Sequence, residues 1–212
     1  MEINYISNSS KHPKCQLILA HGAGAGMNHE FMESISQALV KLDIHVIRFN
    51  FSYIDEGKKL PRSPTKSIAN WNEIIKIVEN QNPELPLFIG GKSYGGRMAS
   101  HSLLDNPANQ EIIKGIIYLG FPLHALGKPS IKKGGHLDLI PLPQLFLQGT
   151  KDKLADIELI QHVADSLSKG TIAVFENADH SFHVPKKFGG DTTDRYEKLA
   201  ETINQWILSQ LK

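Results

Sequence analysis

The sequence predicts an α/β fold, a mostly parallel sheet with helices packed on both faces. Three observations carry this. Short apolar runs of strand length recur along the chain, and segments with helical apolar spacing stand between them. One run, Ile112 to Leu119, is apolar almost throughout, as expected of a strand covered on both sides. Strands that alternate with helices are joined by right-handed crossovers, which lay the strands parallel. The 212 residues suffice for one well-buried core, and no repeat or linker divides them, so a single domain over 1–212 is expected.

Each element has its own signal. Ile3 to Ile6 reads as a short edge strand, and Cys15 to Ala20 as a central one that runs into the nearly side-chain-free turn His21-Gly22-Ala23-Gly24-Ala25-Gly26. From Asn28, read as an N-cap, the spacing of Phe31, Met32, Ile35, Leu39 and Leu42 describes an amphipathic helix. Ile44 to Phe49 is a strand, and the polar stretch from Asn50 to Pro64 is long enough to line a site. Ile68, Trp71, Ile75 and Val78 mark a helix that Asn82-Pro83 closes.

Leu85 to Gly90 reads as a strand, and Met98, Ala99, Ser102 and Leu103 set a helix face against the sheet up to Asn106-Pro107. After the apolar strand, residues 121–141 form an irregular stretch rich in proline and glycine, read as a wall or small lid of a pocket. Pro143 to Gly149 is a strand, Ile157, Ile160, Ala164 and Leu167 a helix, and Thr171 to Phe175 the last strand. Tyr196, Leu199, Ile203, Trp206 and Ile207 complete a C-terminal helix.

The chemistry concentrates at Gly91-Lys92-Ser93-Tyr94-Gly95, which follows a strand and precedes a helix. A serine raised on a sharp strand-to-helix turn needs a strained backbone of its own and neighbours with almost no side chain, which Gly91 and Gly95 supply. Two other motifs fail on spacing. A phosphate loop ending at Gly91-Lys92-Ser93 would need glycine where Pro86 stands. A dinucleotide fingerprint starting at Gly22 would need glycine at Met27 and an acid where Asn50 ends the next strand.

In a parallel sheet, ligands bind outside the carboxyl ends of the strands. The segments just after the strands offer Ala23, Ser93, Asp152 and His180. Ser93 is the candidate nucleophile, His180 the base that takes its proton, and Asp152 the carboxylate that fixes the imidazole tautomer. The backbone N–H groups of Ala23 and Tyr94 are the candidate oxyanion donors. His183 competes with His180, and Asp156 and Asp138 with Asp152, although Asp156 stands at a helix start, where a carboxylate is favoured in any case. His21 reads as a structural histidine of the glycine turn, and His124 and His136 as bystanders.

Composition narrows the function. A formal net charge of +1 without a long basic run gives little reason to expect nucleic acid as a partner. No apolar run approaches the roughly 18 residues that a membrane span requires. The single cysteine, Cys15, reads as a packing residue, and the N-terminus lacks the build of a secretory signal, so a cytoplasmic location is expected. No His, Cys, Asp and Glu cluster has zinc spacing, and neither metal nor cofactor is expected. Lys58, Lys59, Arg62, Lys92, Lys128, Lys132, Lys133, Lys151, Lys186 and Lys187 are read as loop cations near the pocket mouth, which would favour anionic esters or thioesters.

These motifs resemble those of the small capless predicted hydrolases of the α/β-hydrolase superfamily, related to dienelactone hydrolases. The similarity runs through His21–Ala25, Arg48-Phe49-Asn50-Phe51, Gly91–Arg97, Leu119–His124, Gln148–Asp152 and Asp179–Phe182. The order Ser, Asp, His is that superfamily's, and chymotrypsin-like and subtilisin-like enzymes use others. The resemblance implies Ser93, Asp152 and His180 as the triad but is not specific for a substrate; the expectation is a small-molecule ester or thioester cleaved through an acyl-enzyme on Ser93. Serine stands where dienelactone hydrolases use cysteine. The group is also similar to a subunit of a nuclear histone-acetyltransferase complex, which implies a second expectation, a non-catalytic interaction module on a hydrolase fold.

Overall fold

A computed structural model of the chain describes residues 3–189 and 194–212. Seven strands form one sheet: β1 (Tyr5–Asn8), β2 (Cys15–Ala20), β3 (Ile44–Phe49), β4 (Leu87–Lys92), β5 (Ile113–Leu119), β6 (Gln144–Gly149) and β7 (Gly170–Phe175). Their order is β1-β3-β2-β4-β5-β6-β7, and only β1, at the edge, runs antiparallel to its neighbour. The helices are α1 (Glu30–Val40), α2 (Ser52–Asp55), α3 (Pro64–Gln81), α4 (Tyr94–Asp105), α5 (Asn109–Ile112), α6 (Ile157–Ser166) and α7 (Arg195–Gln210).

The two-residue alternation of strands sorts the core into two layers. Ile18 and Ala20 face α3, α4 and α6 through Trp71, Ile75, Met98, Leu103, Ile160 and Val163. Leu17 and Leu19 face α1 and α7 through Phe31, Ile35, Leu39, Leu199, Ile203 and Trp206. Each such side chain removed from water contributes about 1.5–3 kcal/mol, so the apolar faces of these helices hold them to the sheet. The Cys15 thiol is fully buried, and burial pushes its pKa up to about 12, as suits a packing residue.

Several boundaries differ from the sequence reading. The first helix is capped by His29, whose Nδ1 accepts from the Phe31 N–H at 3.2 Å, and not by Asn28. The edge strand slides to Tyr5–Asn8, where it pairs with Phe49 through Val46. Strand β4 starts two residues late and extends through Gly91 and Lys92, because Gly91 pairs with Ala20 on one side and Tyr118 on the other. The 121–141 stretch holds only two single-turn 3-10 helices, Lys132–Gly134 and Leu137–Leu139. Among the described residues no helical insertion forms a cap, and no helix is long and apolar enough to cross a membrane.

The chain leaves β2 for β3 on one side and returns across it to β4 on the other. This reversal of strand order opens a crevice at the carboxyl ends of β2 and β4. The turns after those two strands meet there.

Candidate active site

Ser93 is the turn between β4 and α4 and has φ 51° and ψ −114°, a left-handed conformation that a serine adopts at a cost. Its glycine neighbours are required by close approach. A Cβ on Gly91 would stand 2.5 Å from the Gly96 nitrogen, and one on Gly95 would stand 2.6 Å from the carbonyl oxygens of both Ala20 and His21. The helix therefore lies hard against the strands, and the bend lifts Ser93 into the crevice.

The carboxylate and the imidazole arrive on the loops after β6 and β7. His180 Nδ1 lies 2.7 Å from Asp152 Oδ2. Asp152 also accepts from the Gln148 side-chain amide at 2.7 Å and from the Leu154 N–H at 2.8 Å. Burial by itself would raise the Asp152 pKa, but the hydrogen bonds from His180, Leu154 and Gln148 outweigh it and hold the group below its ordinary value. The His180 loop is braced by Asp179, whose Oδ1 accepts from the N–H groups of Ser181 and His183. Gly149 lets the two loops meet, since a Cβ there would stand 2.3 Å from the Ala178 carbonyl oxygen.

A cavity of about 470 Å³ joins these parts, with Gly22, Ala23, Ser93 and His180 in its lining and Phe31, Met32, Leu154 and Tyr196 among its apolar lining residues. Among the described residues no acceptor takes the backbone N–H of Ala23 or of Tyr94. The Tyr94 hydroxyl points elsewhere and donates to Ser67 Oγ at 3.0 Å.

The competing groups lie outside this arrangement. His183 is exposed and engages Asp179 only through its backbone. Asp156 caps α6 by accepting from the N–H groups of Glu158 and Leu159, and Asp138 is exposed. His21 is fully buried, with Nδ1 donating to the Gly22 carbonyl at 2.8 Å and Nε2 accepting from the Phe51 N–H at 3.3 Å. That tautomer is neutral, and burial pushes its pKa down to about 4. His124 ties loops together by accepting from the Asp156 N–H.

Three expectations about the pocket are corrected. Neither 121–141 nor 50–64 contributes a lining residue; the walls come from the N-terminal turns of α1 and α7, through His29, Glu30, Arg195 and Tyr196. Of the ten cations placed at the mouth, only Lys92 lines the cavity. It is no loop lysine, since β4 carries it under the site, where Nζ is inaccessible and has no hydrogen-bond partner among the described residues. A Cβ on Gly120 would touch both Lys92 Nζ (3.2 Å) and the His180 ring (3.4 Å), so the amine and the imidazole both pack against Gly120. The rings of Phe31 and Phe182 lie 5.9 Å from it. Loss of hydration pushes its pKa down to about 7 against the opposing pull of Asp152 and Asp179. The motif's letters gave no sign of where this side chain goes, whereas a polar Gln148 at the end of an apolar strand and a glycine directly after β5 were visible signals of local demand.

The family model described as "Alpha/beta hydrolase domain" matches residues 13–208. The chain belongs to the alpha/beta hydrolase family. Solved structures with the same fold include an alpha-beta serine hydrolase homologue from Coxiella burnetii, with TM-score 0.75 and 18% identity over 96% of this chain and 90% of that one. A dienelactone hydrolase from Anabaena variabilis aligns with TM-score 0.78 and 13% identity over 99% and 92% of the two chains. A serine hydrolase without a lid from Xanthomonas campestris gives TM-score 0.64 and 17% identity over 85% and 81%. Like that structure's fold, the described residues of this alpha/beta hydrolase carry no helical cap, and family membership supports hydrolase activity.

Proposed function

We propose that the protein is a serine hydrolase that cleaves a small carboxylic ester or thioester through an acyl-enzyme on Ser93, working as one domain. The observation that carries this reading is the 2.7 Å contact between His180 Nδ1 and Asp152 Oδ2, with His180 and Ser93 lining one cavity. With Nδ1 engaged, Nε2 is the nitrogen left to take the Ser93 proton as Oγ attacks the acyl carbon. The N–H groups of Ala23 and Tyr94 hold the oxyanion, each worth roughly 3–4 kcal/mol to the barrier. Collapse expels the alkoxide or thiolate, which takes the proton from His180, and water attacks the acyl-enzyme by the same route.

The apolar walls of Phe31, Met32, Leu154 and Tyr196 suit an uncharged acyl chain, and a cavity of about 470 Å³ limits its size. A panel of p-nitrophenyl esters and acyl thioesters of increasing chain length tests this. The expected result is turnover that peaks at short to medium acyl chains and is lost in Ser93→Ala. A folded protein that turns over no member of the panel would favour the interaction-module role instead.

A further inference from the structure

A second cavity, of about 540 Å³, lies along α4 and is lined by Arg97, His101, Lys132, Lys133, Gly135, His136 and Leu139, none of which lines the candidate active site. Its charges share one sign. Arg97 and His101 come from α4, and Lys132, Lys133 and His136 come from the stretch between β5 and β6. Among the described residues no carboxylate pairs with any of these side chains, and the nearest acids along the chain, Asp105 and Asp138, are not in the lining.

The cluster is built, not a chance grouping of surface lysines. The imidazoles of His101 and His136 stack with centroids 3.9 Å apart and planes 12° from parallel. Fully buried Ser100 anchors the pair, with Oγ 2.7 Å from His136 Nε2. Arg97 is half-buried, and its Nε is inaccessible and has no hydrogen-bond partner among the described residues.

The groups act against one another. Burial first and then the Arg97 charge lower the pKa of both His101 and Lys133. His136 is pushed down to about 4 by burial, then by His101 and Arg97, against a backbone hydrogen bond at Lys133. Tyr94 is the remaining titratable group that senses Arg97, and its own pKa is raised by burial. Cations and imidazoles held together without a counter-charge cost stability that an anion would return.

We propose that this cavity binds a small dianion of the phosphate type, carried by a phosphorylated small molecule or as free phosphate. One guanidinium fork and two ammonium groups offer more positive charge than one carboxylate can offset, the fork matches phosphate oxygens, and the two imidazoles add charge as a bound anion raises their pKa values. A nucleic acid fits less well, because the lining has no Phe, Tyr or Trp to stack bases and the whole chain carries a net charge of only +1.

The test titrates inorganic phosphate, pyrophosphate and a phosphomonoester such as glycerol phosphate into the full chain. Calorimetry in two buffers of different ionisation enthalpy and histidine ring NMR are the readouts. The expected result is saturable 1:1 binding with a dissociation constant of roughly 1 mM or tighter. Proton uptake near pH 6 and shifts at His101 and His136 accompany it, since a bound anion raises both imidazole pKa values. Arg97→Gln and the more exposed Lys133→Gln each weaken binding about tenfold, whereas Ser93→Ala binds as the wild type does. A phosphomonoester that binds tighter than free phosphate identifies the phosphorylated molecule as the ligand, and the reverse identifies phosphate itself.

Absence of saturable heat and of histidine shifts would overturn the proposal. So would unchanged binding in Lys133→Gln with a native circular dichroism spectrum, or tighter binding of a short DNA or an acidic peptide than of any of the three anions.

Discussion

Helix α4 carries near it two groups of buried or half-buried basic side chains that differ in one respect. At its N-terminus Lys92 loses its hydration but faces Asp152 and Asp179, and the loop carboxylates are in turn tied down by hydrogen bonds from His180, Gln148, Ser181 and neighbouring amides. Further along the helix Arg97, His101, Lys133 and His136 lose hydration and, among the described residues, face no carboxylate. Low pKa values occur at both places, so a shifted pKa does not by itself mark the catalytic centre. What distinguishes the end that holds the proposed triad is complementary charge arranged around Ser93, and what distinguishes the other end is charge still awaiting its complement.

The largest effect expected is at the compensated end. Asp152→Asn leaves the shape but removes the charge that selects the His180 tautomer, and kcat falls about 10⁴-fold; a loss below about tenfold in steady-state hydrolysis would break the contrast between the two ends. The carboxylate also links to acid stability. Its folded pKa is depressed, so its contribution is present above the unfolded value and is lost as pH falls through the folded one.

Lys92→Met removes a buried amine whose folded pKa, about 7, lies below its ordinary value of 10.5. Between these values the unfolded chain holds the proton and the folded chain does not, so wild-type stability rises with pH across that window. The variant is expected to gain up to about 4 kcal/mol at neutral pH and to lose that rise, as urea melts at pH 7 and pH 10 would reveal. Equal pH slopes in the two proteins would contradict it.

Gly91→Ala, which forces a Cβ into the Gly96 nitrogen, costs about 1–3 kcal/mol and moves Ser93 with it, so activity falls further than stability. The smallest effect belongs to the uncompensated end. In Arg97→Gln the His136 pKa climbs from about 4 toward its ordinary 6.5. A histidine held low loses stability as pH falls from the unfolded to the folded value, so the variant's acid loss narrows, which an NMR titration and melts between pH 6.5 and 4 can follow.

Much of the fold was legible because strand runs and helical spacing are local properties. β2, β3 and β5 fall within a residue of where the apolar pattern sets them, and the chain order of Ser93, Asp152 and His180 follows from where strands end. Cap identity at His29 was not legible, since histidine is an unusual acceptor for a first-turn N–H and Asn28 offered the ordinary one. The pocket walls were not legible either. Which crossover folds over the carboxyl ends depends on packing between α1 and α7, far apart in sequence, and not on the length or composition of 121–141. Lys92 went unrecognised because the motif constrains its neighbours and is silent about its side chain. His136 looked like a bystander, and only the packing of 121–141 against α4 brings it onto His101.

Intact-mass analysis after treatment with a fluorophosphonate tests the central claim most directly, because phosphonylation requires the serine, its base and the oxyanion donors to act together. The account predicts one adduct, located at Ser93 by peptide mapping, slowed by orders of magnitude in His180→Ala and unaffected by Lys133→Gln. A correctly folded chain that takes up no label, or takes it equally well without His180, would contradict it.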